Sequence, residues 1–286
     1  KMVKIPKNKT YRFSPLLKLK TEEINEVTIQ DKRKAVEGFT TIKKSIVKKI
    51  PGPNSGVENL LMTFAGVSNN NELSTQYNVR GGNFDENLVY VNGIEIYRPF
   101  LVRSGQQEGL SFVNTEMIQN INFSAGGFQA KYGDRLSSVL DITYRKPKKE
   151  ATTIEVNLMG GSATFEGLFA KQKLSSITSI RYRDNSLFVN SKDTETNYKP
   201  LFADAQTFLS YEASKKWTLD FLGNISINDY NYQPLTRRTS FGTISNPQEL
   251  VVVYQGSEND NFRTYFGAIN ATYIHSDDLK LTLTTS

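Results

Sequence analysis

Two short runs that combine glycine with arginine or tyrosine are the parts of this sequence best suited to chemistry. The first is Tyr77 to Gly82 (YNVRGG) and the second is Gly126 to Gly133 (GGFQAKYG). Glycine-rich loops cradle phosphate where a helix begins at a fixed spacing, and neither run is followed by a helical pattern at that spacing. The glycines therefore indicate positive φ angles or close approaches between backbones. We expect one of these two roles at each of Gly81, Gly82, Gly126, Gly127 and Gly133.

Side chains that usually carry catalysis or hold metals are scarce. The chain has no cysteine and a single histidine, His275, which falls at a predicted turn without a nucleophile at a defined spacing. Aspartates and glutamates are too scattered to nominate the paired carboxylates of a polysaccharide-cleaving enzyme. A secreted β-rich enzyme is therefore the least favoured class, and no catalytic residue, metal or cofactor is expected.

The composition fits a packed protein with a basic amino-terminal arm. Of the 286 residues, 38% are hydrophobic and 22% are charged, which suits a folded core. The net charge is +6, but residues 1–50 alone hold 14 Lys and Arg against 5 Asp and Glu. This arm is either a solvated linker or a segment attracted to an acidic partner or to anionic head groups. Binding to nucleic acid is disfavoured, because the lysine pairs of the arm are not surrounded by aromatic side chains on which bases could stack.

Residues 40–145 show a mixed pattern that predicts a small α+β domain with several loops. A helix is expected from Ser55 to Phe64, with Ser55 as N-cap and Glu58 completing a capping box. Short strands are expected at 77–80, 88–91 and 118–124. The pair Asn92-Gly93 between two apolar runs predicts a type I′ hairpin, since both turn positions need positive φ.

From residue 152 the pattern becomes an alternation of apolar and polar residues. The clearest case runs from Trp217 to Asn228, with apolar side chains at odd positions and mostly polar ones at even positions. Strands are expected at 152–160, 164–170, 174–184, 200–212, 217–228, 262–274 and from 279. The predicted connections are alternately short and long, and the two long ones are at 185–199 and 229–261. Outer-membrane barrels show the same alternation. A soluble β-sandwich explains the strands equally well, but not the alternation of loop lengths.

The way this chain could meet a membrane is limited by its hydropathy. No run approaches the length of apolar residues that a transmembrane helix needs, so any crossing would use strands. No signal peptide is visible at the start, and the last residues stop within an alternating strand. We therefore interpret the chain as a fragment.

Residues 50–144 resemble the plug domain of TonB-dependent outer-membrane receptors, particularly the branch found in Bacteroidetes-type bacteria. The resemblance rests on Tyr77 to Ile94 (YNVRGGNFDENLVYVNGI) and Gly126 to Ile142 (GGFQAKYGDRLSSVLDI), two ordered motifs followed by alternating strands. It implies an α+β plug domain followed by an antiparallel transmembrane β-barrel, with roughly seven of about 22 strands present. The implied domains are the end of a carboxypeptidase-regulatory-like domain at 1–20, the TonB box and linker at 21–39, the plug domain at 40–147 and the first barrel strands at 148–286.

The resemblance also implies roles for individual residues. The TonB box, which adds a strand to the periplasmic energy-coupling protein TonB, would be Glu26, Val27, Thr28 and Ile29; an ordinary linker is the alternative. Arg80 and Arg135 would bridge carboxylates at the boundary between plug and barrel, or form fixed ion pairs within the plug. The full set of implied plug-motif and gating residues is Arg80, Gly81, Gly82, Asn92, Gly93, Gly126, Gly127, Tyr132, Gly133 and Arg135.

Substrate contacts in this family come from the apical loops of the plug and the inner wall of the barrel. The candidates here are Asn83, Phe84, Asp85, Tyr97, Arg98 and Phe100 on loops, with Arg181, Arg183, Asp204 and Gln206 on polar strand faces. The polar faces are expected to point inward, because an arginine turned toward lipid at mid-depth costs roughly 2 to 4 kcal/mol.

The function implied by the resemblance is active import across the Gram-negative outer membrane, with the plug facing the periplasm. TonB with ExbB and ExbD would supply the energy, and outer-membrane lipid and an unidentified small or oligomeric substrate would be the other partners. A surface lipoprotein is a further partner that the family permits. The alternative is a receptor or scaffold of the same fold that works with a surface lipoprotein or a secretion complex and imports nothing.

Overall fold

A computed structural model describes residues 38–47, 49–50, 56–69, 75–99, 110–186, 196–276 and 279–286. The expected TonB box at Glu26 to Ile29, the segment 1–20 and the candidate contact Phe100 lie outside the described residues. The described residues from 38 to 147 are called the mixed-sheet domain below, and those from 148 onward contain the large sheet.

Short strands and helices build the mixed-sheet domain. In chain order they are β1 (Thr40–Lys43), α1 (Lys44–Val47), α2 (Val57–Leu61), β2 (Val67–Ser68), β3 (Asn78–Val79), β4 (Asn87–Val91), β5 (Ile94–Glu95), β6 (Ile118–Ser124) and β7 (Ser138–Tyr144). Five strands form one sheet in the order β1-β6-β7-β4-β5, in which β4 and β7 run parallel and the other pairs are antiparallel. Strands β2 and β3 form a separate small hairpin.

The core of this domain lies between the sheet and α2. Strand β6 buries Ile121 and Phe123, and α2 buries Leu60 and Leu61 against them. The ring of Phe123 meets the ring of Tyr77 edge-on at 6.5 Å between centroids. Because apolar side chains alternate along β6, its period of two correctly predicted the strand at 118–124.

The predicted helix is shorter than expected and its cap is different. It begins at Val57 after Gly56, and no side chain caps it. Glu58 does not fold back onto the helix start as a capping box requires. Its carboxylate instead accepts a hydrogen bond from the hydroxyl of Ser111, 53 residues away. A tertiary contact has therefore replaced the local one.

Seven antiparallel strands form the large sheet. In chain order the strands after residue 148 are β8 (Ala151–Asn157), β9 (Gly160–Phe169), β10 (Leu174–Asp184), β11 (Thr196–Glu212), β12 (Trp217–Pro234), β13 (Arg237–Thr243), β14 (Asn246–Val252), β15 (Glu258–Ile274) and β16 (Lys280–Thr285). The sheet order is β16-β15-β12-β11-β10-β9-β8, so neighbours in sequence are neighbours in space. Strands β13 and β14 stand apart as a hairpin between β12 and β15.

The predicted alternation of short and long connections is present. The strand ends joined by the short connections 170–173, 213–216 and 275–279 lie at one end of the sheet, called the short-turn end. The strand ends joined by the longer connections 185–195 and 235–257, together with the tight turn at 158–159, lie at the other end, called the long-loop end. The connection expected at 229–261 is largely strand, because β12 extends to Pro234, β15 begins at Glu258 and β13–β14 fills the space between. The alternation of apolar and polar residues is weaker in this stretch, so the sequence pattern did not predict these strands.

The two faces of the large sheet have the reverse of the usual exposure. Apolar side chains on the odd positions of β12 are exposed, with Leu219 at 41% and Ile225 at 53%. Polar side chains on the opposite face are buried, with Asn224 at 5% and Gln206 of β11 at 1%. The buried polar face packs against the mixed-sheet domain. No second sheet covers the apolar face within the described residues, which removes the main argument for a sandwich.

No helix among the described residues is both long enough and apolar enough to span a membrane.

Candidate functional site

The two glycine motifs of the sequence meet inside the mixed-sheet domain. Arg80 has a positive φ of 51°, and its backbone N–H donates to the carbonyl of Gly66 at 2.7 Å. The guanidinium of Arg80 lies over Gly126, where an added Cβ would come within 3.2 Å of Nη1. Gly126 itself has a φ of 118°. The backbone conformation therefore favours glycine there, and the arginine lies close above it.

The remaining motif glycines divide by role. Gly81 and Gly127 have positive φ, as predicted. Gly82 lacks a positive φ, and a Cβ there would collide with the side chains of Ser137 and Glu86, so the close approach is to side chains and not to a backbone as predicted. Gly133 has neither property, since open space surrounds its Cα, and the prediction is wrong at that position.

An aromatic cluster surrounds the tyrosine of the second motif. Tyr132 donates a hydrogen bond from its hydroxyl to Asp141 at 2.9 Å, and its ring lies 5.2 Å from that of Tyr90 and 5.4 Å from that of Phe39. Burial, followed by the charge of Asp141, raises the pKa of the Tyr132 hydroxyl above its ordinary value. The hydroxyl stays protonated and remains a donor that fixes the second motif to β7.

Arg80 and Arg135 do not bridge carboxylates at the large sheet. The guanidinium of Arg135 donates to the backbone carbonyl of Asp85 within the mixed-sheet domain. Arg80 is exposed, and no ion pair of its guanidinium is found in the part of the chain that the structure describes. Arg135 therefore ties the second motif to the loop before β4, and the bridging at the boundary that was expected of Arg80 and Arg135 is corrected.

The boundary between the mixed-sheet domain and the large sheet is instead stabilised by an arginine of the large sheet. Arg181 on β10 pairs with Asp204 on β11, with Nε 2.8 Å from Oδ1 and Nη2 2.5 Å from Oδ2. The same guanidinium donates to the carbonyls of Ser111 at 2.8 Å and Val113 at 3.2 Å. The buried ion pair is thus hydrogen-bonded to two backbone carbonyls of the loop before β6. Arg181, Asp204, Ser111 and Val113 are called the arginine latch.

A hydrogen-bonded chain runs beside the latch. The amide of Gln206 donates to the carbonyl of Phe112 at 3.2 Å, and its oxygen accepts from the hydroxyl of Tyr144 at 2.8 Å. That hydroxyl in turn accepts from the backbone N–H of Asn114 at 2.9 Å. Burial raises the pKa of the Tyr144 hydroxyl, so it remains a donor. The last residue of β7 is thereby tied to the same loop as the latch.

Charged pairs close the boundary nearer the short-turn end. Arg145 pairs with Glu166 of β9 at 2.5 Å, and Lys146 pairs with Asp220 of β12 at 3.1 Å. These contacts follow directly after β7, where the chain enters the large sheet. They hold the last part of the mixed-sheet domain against the first strands.

The predicted hairpin at Asn92-Gly93 also reaches the large sheet. Asn92 and Gly93 have φ angles of 53° and 76°, as a type I′ turn requires. Asn270 of β15 donates to the carbonyl of Asn92 at 2.9 Å. Asn92 accepts at its side-chain oxygen from the N–H of Tyr144 at 2.8 Å. The turn therefore links β4, β7 and β15.

Comparison with known proteins bears on both parts of this arrangement. Residues 31–138 match the family described as the TonB-dependent receptor plug domain. This segment is a plug domain. No curated protein matches the chain.

Solved structures share the fold of the plug domain together with the large sheet. The outer membrane transporter YddB from Escherichia coli has a TM-score of 0.59 at 14% identity, over 86% of this chain and 38% of its own. FpvA of P. aeruginosa, bound to pyoverdine, has a TM-score of 0.52 at 12% identity, over 86% of this chain and 33% of its own. The siderophore receptor PirA from Pseudomonas aeruginosa has a TM-score of 0.50 at 18% identity, over 87% and 47%. This chain therefore spans less than half the length of each. The expected fold class, a plug domain followed by part of an antiparallel barrel sheet, is confirmed.

The candidate substrate contacts fall into separate places. Asn83 and Asp85 are exposed at the start of β4, beside Arg135. Tyr97 is exposed at 74%, and Arg98 lines a cavity of about 300 Å³ between the plug domain and the large sheet. Asn228 and Arg263 line the same cavity from the sheet side, nearer the long-loop end. Phe84 is half-buried in a 3-10 turn.

The two candidate arginines of β10 have different surroundings. Arg181 directs its donors at Asp204 and at two plug carbonyls, so the geometry assigns it to holding the plug domain rather than to an open surface. Arg183 donates to Asn185 at 2.7 Å and borders a second cavity with Glu58 and Glu155. No group of three or more metal-ligating side chains occurs among the described residues.

Several boundary residues were invisible to sequence reasoning. Tyr144, Arg145, Lys146 and Asn270 belong to no motif, and each acts through long-range hydrogen bonds. A signal did exist for the latch. Arg181 and Asp204 are opposite charges on the polar faces of consecutive predicted strands, and the structure places them directly opposite each other.

Proposed function

We propose that the protein imports a substrate across the bacterial outer membrane through a barrel that the plug domain closes. The observation that carries this proposal is the reversed exposure of the large sheet. Its apolar face is exposed, as hydrocarbon contact would require, and its polar face is buried against the plug domain by hydrogen bonds. A soluble protein of this sequence would expose the opposite face.

The polar boundary suits a plug that must move. A net hydrogen bond contributes only about 0.5 to 1.5 kcal/mol, because water replaces the lost partner. Contacts such as Gln206 to Phe112 and Asn270 to Asn92 can therefore exchange for water as the plug domain shifts. An apolar boundary of the same area would resist wetting.

The orientation follows from the loop lengths of barrels. Outer-membrane barrels keep short turns on the periplasmic side and longer loops outside. We therefore place the short-turn end, with Arg145 and Lys146, toward the periplasm. The cavity with Arg98 and Arg263 then lies on the external side, where a substrate would first arrive.

The amino-terminal segment at 1–20 is assigned to the end of a carboxypeptidase-regulatory-like domain, as in the branch of the family found in Bacteroidetes-type bacteria.

Coupling to TonB is assigned to Glu26, Val27, Thr28 and Ile29, because the β-branched side chains of the last three suit strand addition. In the full-length protein, Val27→Pro is expected to lower affinity for the periplasmic domain of TonB at least tenfold, because proline removes a backbone donor from the added strand. Val27→Ala, which keeps the donor, should lose less than threefold. Isothermal titration calorimetry of the two variants measures both values.

Equal affinities for the two variants would exclude strand addition through this segment. Uptake is measured in parallel, with ferric siderophores as first probe because one similar structure is a siderophore receptor. Loss of TonB binding together with loss of uptake supports energised import. TonB-independent retention of ligand at the cell surface, without uptake, would favour the receptor or scaffold function instead.

A further inference from the structure

Six lysines line the short-turn end of the large sheet. Two precede β8, two lie in the turn between β9 and β10, and two lie in the turn between β11 and β12: Lys148, Lys149, Lys171, Lys173, Lys215 and Lys216. All six are exposed. No ion pair or hydrogen bond of their ammonium groups is found within the described ranges. They are called the lysine rim.

The two turns of the lysine rim form one continuous surface. The N–H of Glu212 donates to the carbonyl of Lys173 at 2.8 Å, which joins the first turn to the strand that enters the second. The N–H of Ile274 donates to the carbonyl of Lys216 at 2.9 Å on the far side. Neighbouring strands lie about 4.8 Å apart, so the two turns are roughly 10 Å from each other. Their charges therefore act together on whatever lies beside the rim.

The charge of the rim is not balanced locally. Its six lysines face two nearby glutamates, Glu150 and Glu212, which leaves a net charge of +4. The next short connection carries Asp277 and Asp278 in sequence, so the basic cluster is confined to β8 through β12. At the long-loop end the charges of the sequence nearly cancel: Arg183, Lys192, Lys199, Arg237, Arg238 and Arg263 against Asp184, Asp193, Glu195, Asp229, Glu249, Glu258 and Asp260.

Aromatic side chains lie on the apolar face immediately before the rim. Phe169 is exposed at 55%, Tyr211 at 38% and Trp217 at 46%. Trp217 pairs with Tyr273 across the strands, with ring centroids 4.8 Å apart. Tyrosine and tryptophan concentrate where membrane meets water, at the level of the lipid head groups. Lysines just beyond such a belt are placed beside lipid phosphates.

We propose that the lysine rim binds anionic phospholipid head groups, such as phosphatidylglycerol, in the leaflet that faces the periplasm. The proposal rests on the proposed function, since it requires the apolar face to contact lipid. Anionic head groups attract lysines near a membrane surface, and the chemistry recognised is a phosphate with uncompensated negative charge. An acidic protein partner would not require the adjoining aromatic belt. The rim would thus fix the depth and tilt of the first strands on the side from which the plug is pulled.

The single tryptophan of this chain, Trp217, lies beside the rim and can report its lipid neighbours. The full-length protein is reconstituted with brominated phosphatidylglycerol or brominated phosphatidylcholine, and the emission lost in Trp217→Phe isolates the signal of Trp217. At low salt, wild type is expected to show about a threefold preference for phosphatidylglycerol, which high salt removes. The triple variant K171Q/K215Q/K216Q should show no preference. The matched control K199Q/R237Q/R238Q, at the long-loop end, should keep the wild-type ratio.

The possible outcomes separate this inference from the function on which it rests. Equal quenching of wild type by both brominated lipids, or an undiminished preference in the rim variant, would overturn the lipid site alone. Absence of quenching by either lipid would show that the apolar face does not contact hydrocarbon, and the proposed import function would fail with it. Loss of preference in both triple variants would also overturn the proposal, because total charge rather than the rim would then set the ratio.

Discussion

Replacing Arg181 with methionine is expected to loosen the plug domain from the large sheet by about 3 to 5 kcal/mol, the usual cost of breaking one side of a buried ion pair. The side chains of Arg181 and Asp204 are exposed at only 12% and 4%. Methionine would leave the Asp204 carboxylate buried with Asn224 as its remaining donor, at 3.3 Å. It would also release the carbonyls of Ser111 and Val113.

Native-state hydrogen exchange measures this loosening at the backbone amide of Asn114. That N–H is held by Tyr144 within the loop that the arginine latch grips. The matched control is Arg263→Met, since Arg263 pairs with Asp229 at 2.7 Å but both side chains are well exposed. Such a surface pair contributes about 0 to 1 kcal/mol, so the control should exchange like wild type. Adding Asp204→Asn to Arg181→Met should restore part of the lost protection from exchange. Equal exchange at Asn114 in wild type and Arg181→Met would refute the arginine latch.

Replacing Glu58 is expected to change the pH dependence of plug-domain stability. Burial raises the pKa of the Glu58 carboxyl, while the hydroxyl of Ser111, the backbone and Arg181 act in the opposite direction. Because the folded pKa lies above the unfolded value, the group stabilises the plug domain fully below about pH 4.5, and this contribution is lost as pH rises through the folded pKa. Glu58→Gln keeps a neutral partner for Ser111 and removes the titration.

The expected result for Glu58→Gln is a stability that stays level where wild type falls with rising pH, measured by urea unfolding of the plug domain between pH 4 and pH 8. Glu58→Ala should instead lose about 2 to 4 kcal/mol relative to wild type at low pH, because it opens a cavity and leaves the buried hydroxyl of Ser111 without its acceptor. This deficit should shrink as wild type loses stability with rising pH. Parallel pH profiles for wild type and Glu58→Gln would show that folding does not shift the pKa of Glu58 and would contradict this account.

These two side chains form one path from the start of the plug domain to the large sheet. Glu58 on α2 bonds the hydroxyl of Ser111, and Arg181 binds the carbonyl of the same residue. A displacement of α2 therefore acts directly on the arginine latch. Combining Arg181→Met with Glu58→Gln should give a non-additive effect on exchange at Asn114, since both changes meet at Ser111.

Sequence reasoning succeeded where a local period or a turn type determines the structure. The alternation along Trp217 to Asn228 placed β12 and identified its apolar face, and Asn92-Gly93 placed a hairpin. At Gly126 one of the two expected roles, a positive φ, is present, because no other residue adopts that conformation at so little cost.

The residues of the boundary could not be predicted in the same way. Arg181 meets Asp204 only because strands β10 and β11 pair in one register, and the long connection at 185–195 leaves that register undetermined by turn geometry. Glu58 was assigned to a local cap because its partner, Ser111, is distant in sequence. Contacts between the plug domain and the large sheet depend on how the two pack against each other. No local sequence pattern determines that packing.

The central claim is that the polar face of the large sheet holds the plug domain while its apolar face meets lipid. The most direct measurement is a scan of single cysteines along β12 in the full-length protein in bilayers, in which residues 1–286 contribute no native cysteine and any cysteine elsewhere is first replaced by serine. Thiols at 219, 221 and 225 should react with membrane-dissolved maleimide and resist a charged reagent. Thiols at 220, 224 and 226 should resist the lipid reagent and react with the charged one only when the plug domain is released. Equal labelling of odd and even positions, or lipid labelling at 224, would contradict the account.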